Sequence, residues 1–223
     1  MINKYFAIIL IGPPGCGKGT QAAFLREKGF AHFAAGDELR KEITSDSDLG
    51  KEIKKIYDEG KLVSDDIMNE ITRNFVDRSG STRLLFDGFP RKVSQADFLQ
   101  SFLIDLVSNG DITVKACFFD IKEDVVAVRV VDRFCCAKCG AIYNRKTMSI
   151  TDFCCPNCGS NEILRRTDDN EEAVVKRIKT YRIETQPVLD FYEKLGILKV
   201  IDASLSVKEV SKKIEKIIGN YGF

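Results

Sequence analysis

Apolar positions along this chain gather into five short, nearly continuous runs: Tyr5 to Ile11, Ala31 to Ala34, Thr82 to Asp87, Thr113 to Ile121 and Ile197 to Asp202. Runs of that length without polar alternation predict strands buried on both faces. Between them the apolar residues recur every three to four positions, as in helices. Gly19 to Lys28 places Ala22, Ala23, Phe24 and Leu25 on one face and stops at Gly29. Asp37 is placed to cap a helix carrying Leu39, Ile43, Arg40 and Lys41. A charged helix from Asp48 to Glu59 ends at Gly60, Lys61 to Val63 form a brief extended link, and Ser64 opens a helix through Arg78. So many helical residues between two strands imply an insertion over the sheet.

Further on, Lys92 to Val107 reads as a helix, with Cys117 of the next strand expected in the core. The helix starting near Lys122 carries Arg129 and Arg133 four residues apart, on one face. After Leu164, Asp168 or Asp169 can cap a long helix with an apolar stripe of Val174, Val175, Ile178 and Tyr181, which Pro187 interrupts or kinks. Ser206 and Glu209 predict a capping box for a last helix that ends at Gly219. Strands alternating with helices predict an α/β protein with a parallel sheet.

Chemistry enters at the end of the first strand. Gly12, Gly15, Gly17 and Gly19, with Cys16, Lys18 and Thr20 among them, make a loop between strand and helix. Glycines let successive backbone N–H groups turn toward a polyphosphate where a Cβ would block them. Lys18 adds a charge beside the β and γ phosphates, and the helix N-terminus adds to it. The hydroxyl comes at Thr20, one residue later than in the common phosphate loop, with Gly19 intervening. Asp87 ends an apolar strand and suits a Mg²⁺ held through its waters. Arg129 and Arg133 would repel each other unless an anion such as a triphosphate lay between them. His32 has no obvious nucleophile partner and is expected to be structural.

Composition narrows this further. Thirty-four Lys and Arg against 33 Asp and Glu leave a formal net charge of +1, so no global field draws the chain to nucleic acid or an anionic membrane. Apolar residues at 44% and charged residues at 30% are ordinary for a globular protein. No apolar run approaches the eighteen residues of a membrane span, and the glycine loop follows the opening apolar run where a signal peptide would have its cleavage site. A cytoplasmic location, with no membrane partner, is therefore expected.

That expectation bears on the eight cysteines. The pattern FCCxxCG occurs twice, nineteen residues apart, at Phe134 to Gly140 and Phe153 to Gly159. Cys136, Cys139, Cys155 and Cys158 give two C-x₂-C pairs with fifteen residues between them, the spacing of a Zn²⁺ ribbon. Four thiolates close the coordination shell, so the zinc is expected to be structural. Cys135 and Cys154 are then packing residues, a shifted ligand register being the alternative; a disulfide framework is the alternative for the cluster and suits a reducing compartment poorly.

GPPGCGKGTQ, AGDELR, DGFPR with Gln95 four residues on, the arginines 129 and 133, and the RxDDNEE segment with Arg177 resemble adenylate kinases in order and spacing across nearly the whole chain. The cysteine ribbon resembles the zinc-bearing lid of their long bacterial forms. The resemblance implies a P-loop parallel five-stranded sheet with two inserted mobile subdomains: a core of residues 1–34, 64–131 and 170–223, a helical monophosphate-binding insertion at 35–63, and a zinc-binding lid at 132–169. It implies the reaction MgATP + AMP ⇌ 2 ADP by a monomer, with no nucleic acid involved. Lys18, Arg91, Arg133, Arg166 and Arg177 would be catalytic. Gly15, Cys16, Gly17, Lys18, Gly19, Thr20, Arg129, Arg133, Ile142, Tyr143 and Leu205 would hold ATP. Ala35, Arg40, Lys61, Leu62, Val63, Gly88, Phe89, Pro90, Gln95 and the arginines 91, 166 and 177 would hold AMP.

Four positions depart from the family pattern. Ala35 stands where adenylate kinases usually place a Thr or Ser hydroxyl near the AMP base, and alanine there is similar to what UMP/CMP kinases carry, so a pyrimidine acceptor is the alternative. Glu38 replaces an apolar residue, and Asp132 and Phe134 replace a Gly and an Arg around Arg133. A rival of another class is an ATP-switched zinc-ribbon nucleic-acid-binding protein, for which Arg145, Lys146, Arg165 and Arg166 leave room.

Overall fold

The computed structural model of the protein describes residues 5–45, 47–59, 62–107, 111–144, 154–165 and 171–219. In chain order its elements are β1 (Tyr5–Ile11), α1 (Lys18–Glu27), β2 (Ala31–Ala34), α2 (Ala35–Thr44), α3 (Asp48–Asp58), α4 (Asp65–Ser79), β3 (Arg83–Asp87), α5 (Val93–Asp105), β4 (Ile112–Asp120) and α6 (Glu123–Val131). There follow β5 (Arg133–Cys136), β6 (Ile142–Asn144), β7 (Ile163–Leu164), α7 (Glu171–Thr180), a π-helical turn (Tyr181–Thr185), α8 (Pro187–Lys194), β8 (Leu198–Asp202) and α9 (Val207–Ile218).

β1 lies at the centre of a parallel five-stranded sheet of order β2-β3-β1-β4-β8. Its alternate residues serve two cores. Ala7, Ile9 and Ile11 face one cluster with Phe33, Phe86, Leu99 and Val188, while Phe6, Ile8 and Leu10 face another with Leu25, Cys117, Ile201 and Ile214. That is the two-residue period of a strand covered on both sides, and it explains a continuous apolar run. Phe33 packs edge-on against Phe75 and Phe89, with centroids 5.3 and 5.8 Å away, and tilted against Phe86 at 5.9 Å.

Because all five strands run the same way, their carboxyl ends share one edge, where ligands bind in open α/β sheets. Leu10 of β1 pairs with Asp87 of β3, and Ala34 of β2 pairs with the same Asp87, so the glycine loop, the start of α2 and the DGFPR turn leave the sheet side by side.

The ribbon has its own three-stranded antiparallel sheet, β6-β5-β7. Arg133 pairs with Asn144, Phe134 with Tyr143, and Cys135 with Ile142. This corrects the placing of Arg133 on one helical face with Arg129: α6 ends at Val131 and Arg133 opens β5. The cysteine turn next to it needs a hairpin, and the hairpin draws its strand out to Arg133.

Three other local expectations shift. Asp37 does not cap α2, since β2 runs directly into the helix at Ala35 and Asp37 sits in the first turn, paired with Arg40. Val175 is 66% exposed, because Val174 takes the inward position against Val126 and Val130 and the next residue lies about 100° around the helix. Pro187 starts α8 after the π turn, where Gln186 N–H donates to Tyr181 C=O at 2.8 Å. The Ser206–Glu209 capping box is present on α9.

Candidate functional site

The glycine loop leaves β1 and closes onto α6. Gly15 has φ +79°, and a Cβ there would lie 2.5 Å from Val130 Cγ2 and 3.1 Å from the Val126 carbonyl, so only glycine fits. Lys18 is the first residue of α1, and its Nζ donates to the carbonyls of Gly12 and Pro13 at 2.6 and 3.0 Å and lies 3.4 Å from Cys16 Sγ. No side chain caps α1 and its first turn carries no acid, so its N–H groups and dipole are available to an anion.

Across the β1–β3 ladder stands Asp87. Burial alone would raise its carboxyl, but His32, Lys18 and Arg91 around it hold it below the ordinary carboxylate range. His32 Nε2 is 3.8 Å from Asp87 Oδ2, too far for a hydrogen bond, and has no hydrogen-bond partner among the described residues. A half-buried carboxylate kept ionised at the rim of the glycine loop has the chemistry of an oxygen donor for a hard divalent ion.

The turn after Asp87 is braced from within. Arg91 Nε donates to the Gly88 carbonyl at 2.8 Å, and Arg91 N–H donates to Gln95 Oε1 at 2.8 Å. Gln95 Nε2 in turn donates to Asp65 Oδ1 at 2.9 Å. Arg129 Nη1 donates to the Ala203 carbonyl at 3.1 Å, joining α6 to the segment after β8.

In the ribbon, Cys136, Cys139, Cys155 and Cys158 bring their sulfurs within 4.8 Å of one another. A tetrahedral ion with bonds of about 2.3 Å to thiolates needs sulfurs roughly 3.8 Å apart; Cys136 to Cys158 and Cys139 to Cys155 are each 3.6 Å. The cluster therefore fits such an ion, and all four cysteines are free of disulfides. Tyr143 Oη lies 2.9 Å from Cys155 Sγ, and Asn157 Nδ2 donates to Cys139 Sγ at 3.4 Å. Burial opposes a charge on Cys155, but the Tyr143 hydroxyl and the N–H groups of Cys158 and Asn157 outweigh it and bring the thiol down to about 6. The Ser160 N–H favours a thiolate at Cys158, yet burial and the three sulfurs around it push that thiol up to about 12. Four converging thiolates need a cation at their centre.

One cleft of about 1890 Å³ gathers these parts. Every described residue expected to hold a nucleotide lines it: Gly15 to Thr20, Ala35, Arg40, Leu62, Val63, Asp87 to Arg91, Gln95, Arg129, Arg133, Ile142, Tyr143, Arg177 and Leu205. Lys61 and Arg166 lie outside the described residues. The ribbon reaches the loop itself, since a Cβ on Gly19 would meet Ile142 Cδ1 at 2.8 Å.

Sequence reasoning missed Lys176, Tyr181, Thr180 and Asn157, which line the cleft, and it expected His32 to be structural, whereas His32 lines the cleft too. Lys176 could have been found from its neighbour Arg177. Tyr181 carried no such signal: its hydroxyl is buried without a hydrogen-bond partner among the described residues, and burial, with Cys16 and Asp120 nearby, pushes its phenol up.

Comparison with known proteins agrees with this arrangement. The adenylate kinase family model matches residues 10–197. An adenylate kinase of Thermotoga neapolitana is 41% identical over 215 residues, covering 95% of this chain and 96% of that protein. One from Thermotoga maritima is 40% identical with the same coverage, and one from Elusimicrobium minutum is 38% identical over 213 residues, covering 95% and 97%. The matched residues span the glycine loop, the DGFPR turn and the cysteine ribbon, and the chain belongs to the adenylate kinase family.

Proposed function

We propose that this protein transfers a phosphoryl group reversibly between MgATP and AMP to give two ADP. The observation that carries this reading is the single cleft of about 1890 Å³. A pocket for one small ligand holds roughly 300–1,000 Å³, so this one has room for two, and lysine and arginine reach it from α1, α2, the DGFPR turn, α6, β5 and α7. Phosphoryl transfer demands positioning and charge neutralisation rather than proton chemistry, and such a lining supplies both.

In this reading Lys18 turns from the loop carbonyls to the β and γ phosphates, with the N–H groups of Gly15 to Thr20 beside it. Arg129, Arg133, Ile142, Tyr143 and Leu205 complete the ATP side. Ala35, Arg40, Lys61, Leu62, Val63, the turn from Gly88 to Arg91, and Gln95 form the AMP side. Arg91, Arg133, Arg166 and Arg177 surround the group in transit. Asp87 would hold Mg²⁺ through water, and that ion when bound spreads phosphate charge. The four ribbon cysteines would hold a structural Zn²⁺. The division into core (1–34, 64–131, 170–223), insertion (35–63) and lid (132–169) belongs to the same reading, as do a monomeric state and a cytoplasmic location. Among the described residues no helix is long and apolar enough to cross a membrane.

A lid has a chemical reason. An enzyme that readies a γ phosphate for another nucleotide must keep water from it, and Ile142 and Tyr143 bring apolar surface to the cleft from the ribbon. The test is ADP production from ATP with and without a monophosphate, with metal analysis of the same sample. ADP is expected only when a monophosphate is added, with AMP faster than CMP or UMP and one zinc per chain. Faster phosphorylation of CMP would overturn the AMP assignment, and ADP formed equally from ATP alone would overturn the transferase reading.

A further inference from the structure

Gln95 is 2% exposed, lines the cleft, and has both ends of its amide engaged. Its Oε1 accepts from a backbone N–H, that of Arg91 at 2.8 Å, and its Nε2 donates to a carboxylate, that of Asp65 at 2.9 Å. Which amide atom is oxygen and which nitrogen is often ambiguous in a side-chain carboxamide. Here chemistry decides, because a backbone N–H can only donate and a carboxylate can only accept.

Asp65 is itself held. Ser94 Oγ donates to its Oδ2 at 2.5 Å, and Lys92 Nζ lies 3.3 Å from Oδ1. Burial works against its charge, but Ser94, Gln95 and Lys92 together keep the carboxyl below its ordinary range. Asp65 thus stays an acceptor at neutral pH.

A carboxamide has two N–H groups and two oxygen lone pairs. With one of each spent on Asp65 and Arg91, Gln95 keeps one donor and one acceptor of fixed polarity. Leu39, Val63, Met68 and Phe89 line the same cleft and share an apolar cluster with Ala96, the next residue along. A flat heterocycle resting on that apolar wall would meet the remaining edge of the amide.

We propose that Asp65 is a positioning residue that sets the base specificity of the monophosphate site, by holding Gln95 in the one orientation that reads an amino-substituted base edge. Adenine offers a ring-nitrogen acceptor beside an amino donor, which complements the fixed donor and acceptor of Gln95. Hypoxanthine has the same shape but the opposite pattern, a ring N–H beside a carbonyl. Reading it requires the amide to turn over, and then Gln95 Oε1 faces the Asp65 carboxylate while the Arg91 N–H loses its acceptor. A site built to hydrogen-bond one pattern rejects the analogue that leaves buried groups unpaired. This rests on the assignment of the cleft to a nucleoside monophosphate acceptor, and it adds the residue that makes the choice of base.

The experiment compares AMP with IMP, which differ only in the group at position 6 and the proton on the ring nitrogen beside it, by direct binding and by turnover. Wild type is expected to bind AMP at least about tenfold tighter than IMP, since a well-placed pair of hydrogen bonds to a base edge discriminates by that much or more. Asp65→Asn keeps the shape but can donate as well as accept, so the amide can turn with only the Arg91 bond lost. The AMP-to-IMP ratio should then fall about tenfold, the difference between a charge-assisted and a neutral hydrogen bond, while ATP affinity is unchanged. Ser94→Ala loosens Asp65 without removing it and should move the ratio the same way by a smaller factor. An unchanged ratio in Asp65→Asn, or equal losses of AMP and IMP binding, would show a structural role only and overturn the proposal. Because binding is measured apart from ADP formation, failure of the kinase reading appears as absent turnover in wild type and failure of this inference as an unmoved binding ratio.

Discussion

The parallel sheet and the cysteine ribbon both present side chains to one cleft, but they hold themselves together differently. In the sheet, Phe6 to Ile11 of β1 are each at most 4% exposed and pack on both faces, and Phe33, Phe75, Phe86 and Phe89 interlock around β2 and β3. Among the described residues the ribbon's apolar cluster has eight members, Cys136, Tyr143, Cys155, Phe134, Cys139, Ala141, Cys158 and Ile163, and four of them are the clustered thiols. Lys18 and Asp87 are therefore positioned by burial spread over many residues, whereas Arg133, Ile142 and Tyr143 are positioned by one four-sulfur knot. The first arrangement resists any single loss of a ligand or ion, and the second can be loosened at one point.

The largest way to break that contrast is a cavity in the sheet. Phe86→Ala should cost about 3–5 kcal/mol of stability, read as a lower urea midpoint for the whole molecule, with the metal content of the folded fraction unchanged. A cost confined to the ribbon, or near zero, would mean that the sheet is not the shared foundation. Next in size is metal removal. A chelator, or Cys155→Ser, should lower kcat/KM for ATP by about tenfold or more, while the unfolding transition of the sheet moves little. If that transition fell as far as the ribbon's, the two regions would not be separable. The smallest effect sharpens the picture of the sheet edge. Asp87 has its folded pKa depressed, so its contribution is present above its unfolded value of about 3.9 and is lost as pH falls through the folded one. Asp87→Asn should therefore flatten part of the acid-side decline seen in urea midpoints between about pH 5 and pH 2; an identical acid profile in wild type and variant would remove the carboxylate from the account.

Much of this molecule was legible as sequence because its strongest features are local. Continuous apolar runs marked β1, β2, β3, β4 and β8, and all five fall within a residue or two of their observed ends. The glycine loop and the C-x₂-C pairs are also local, each imposed by one chemical demand. What escaped was set by distant partners. The pairing of Ala34 with Asp87 brings His32 to the carboxylate, a contact between residues 55 apart. The Asp65–Gln95 bond spans 30 positions and follows from how α4 docks on α5. Arg133 was misplaced because helical spacing was followed past the end of α6 into a strand whose partner, β6, has only three residues and no pattern of its own.

The π turn at Tyr181–Thr185 acts on the register of the helices on either side of it. Arg177, which lines the cleft, and Val188, which is fully buried in the main core, are eleven positions apart. On an unbroken α-helix, at about 100° per residue, eleven positions bring a side chain back to within roughly 20° of its starting direction. Charge and core would then compete for one azimuth. A wide turn takes up about one residue more than an α turn and so offsets the phase of α8 from that of α7 by roughly a quarter of a revolution. Pro187, which has no N–H to give to an α-helical bond, sits just where the ordinary ladder resumes. The wide turn is a phase shifter: the incoming segment can turn Arg177 toward the cleft while the outgoing one drives Val188 and Tyr192 into the protein.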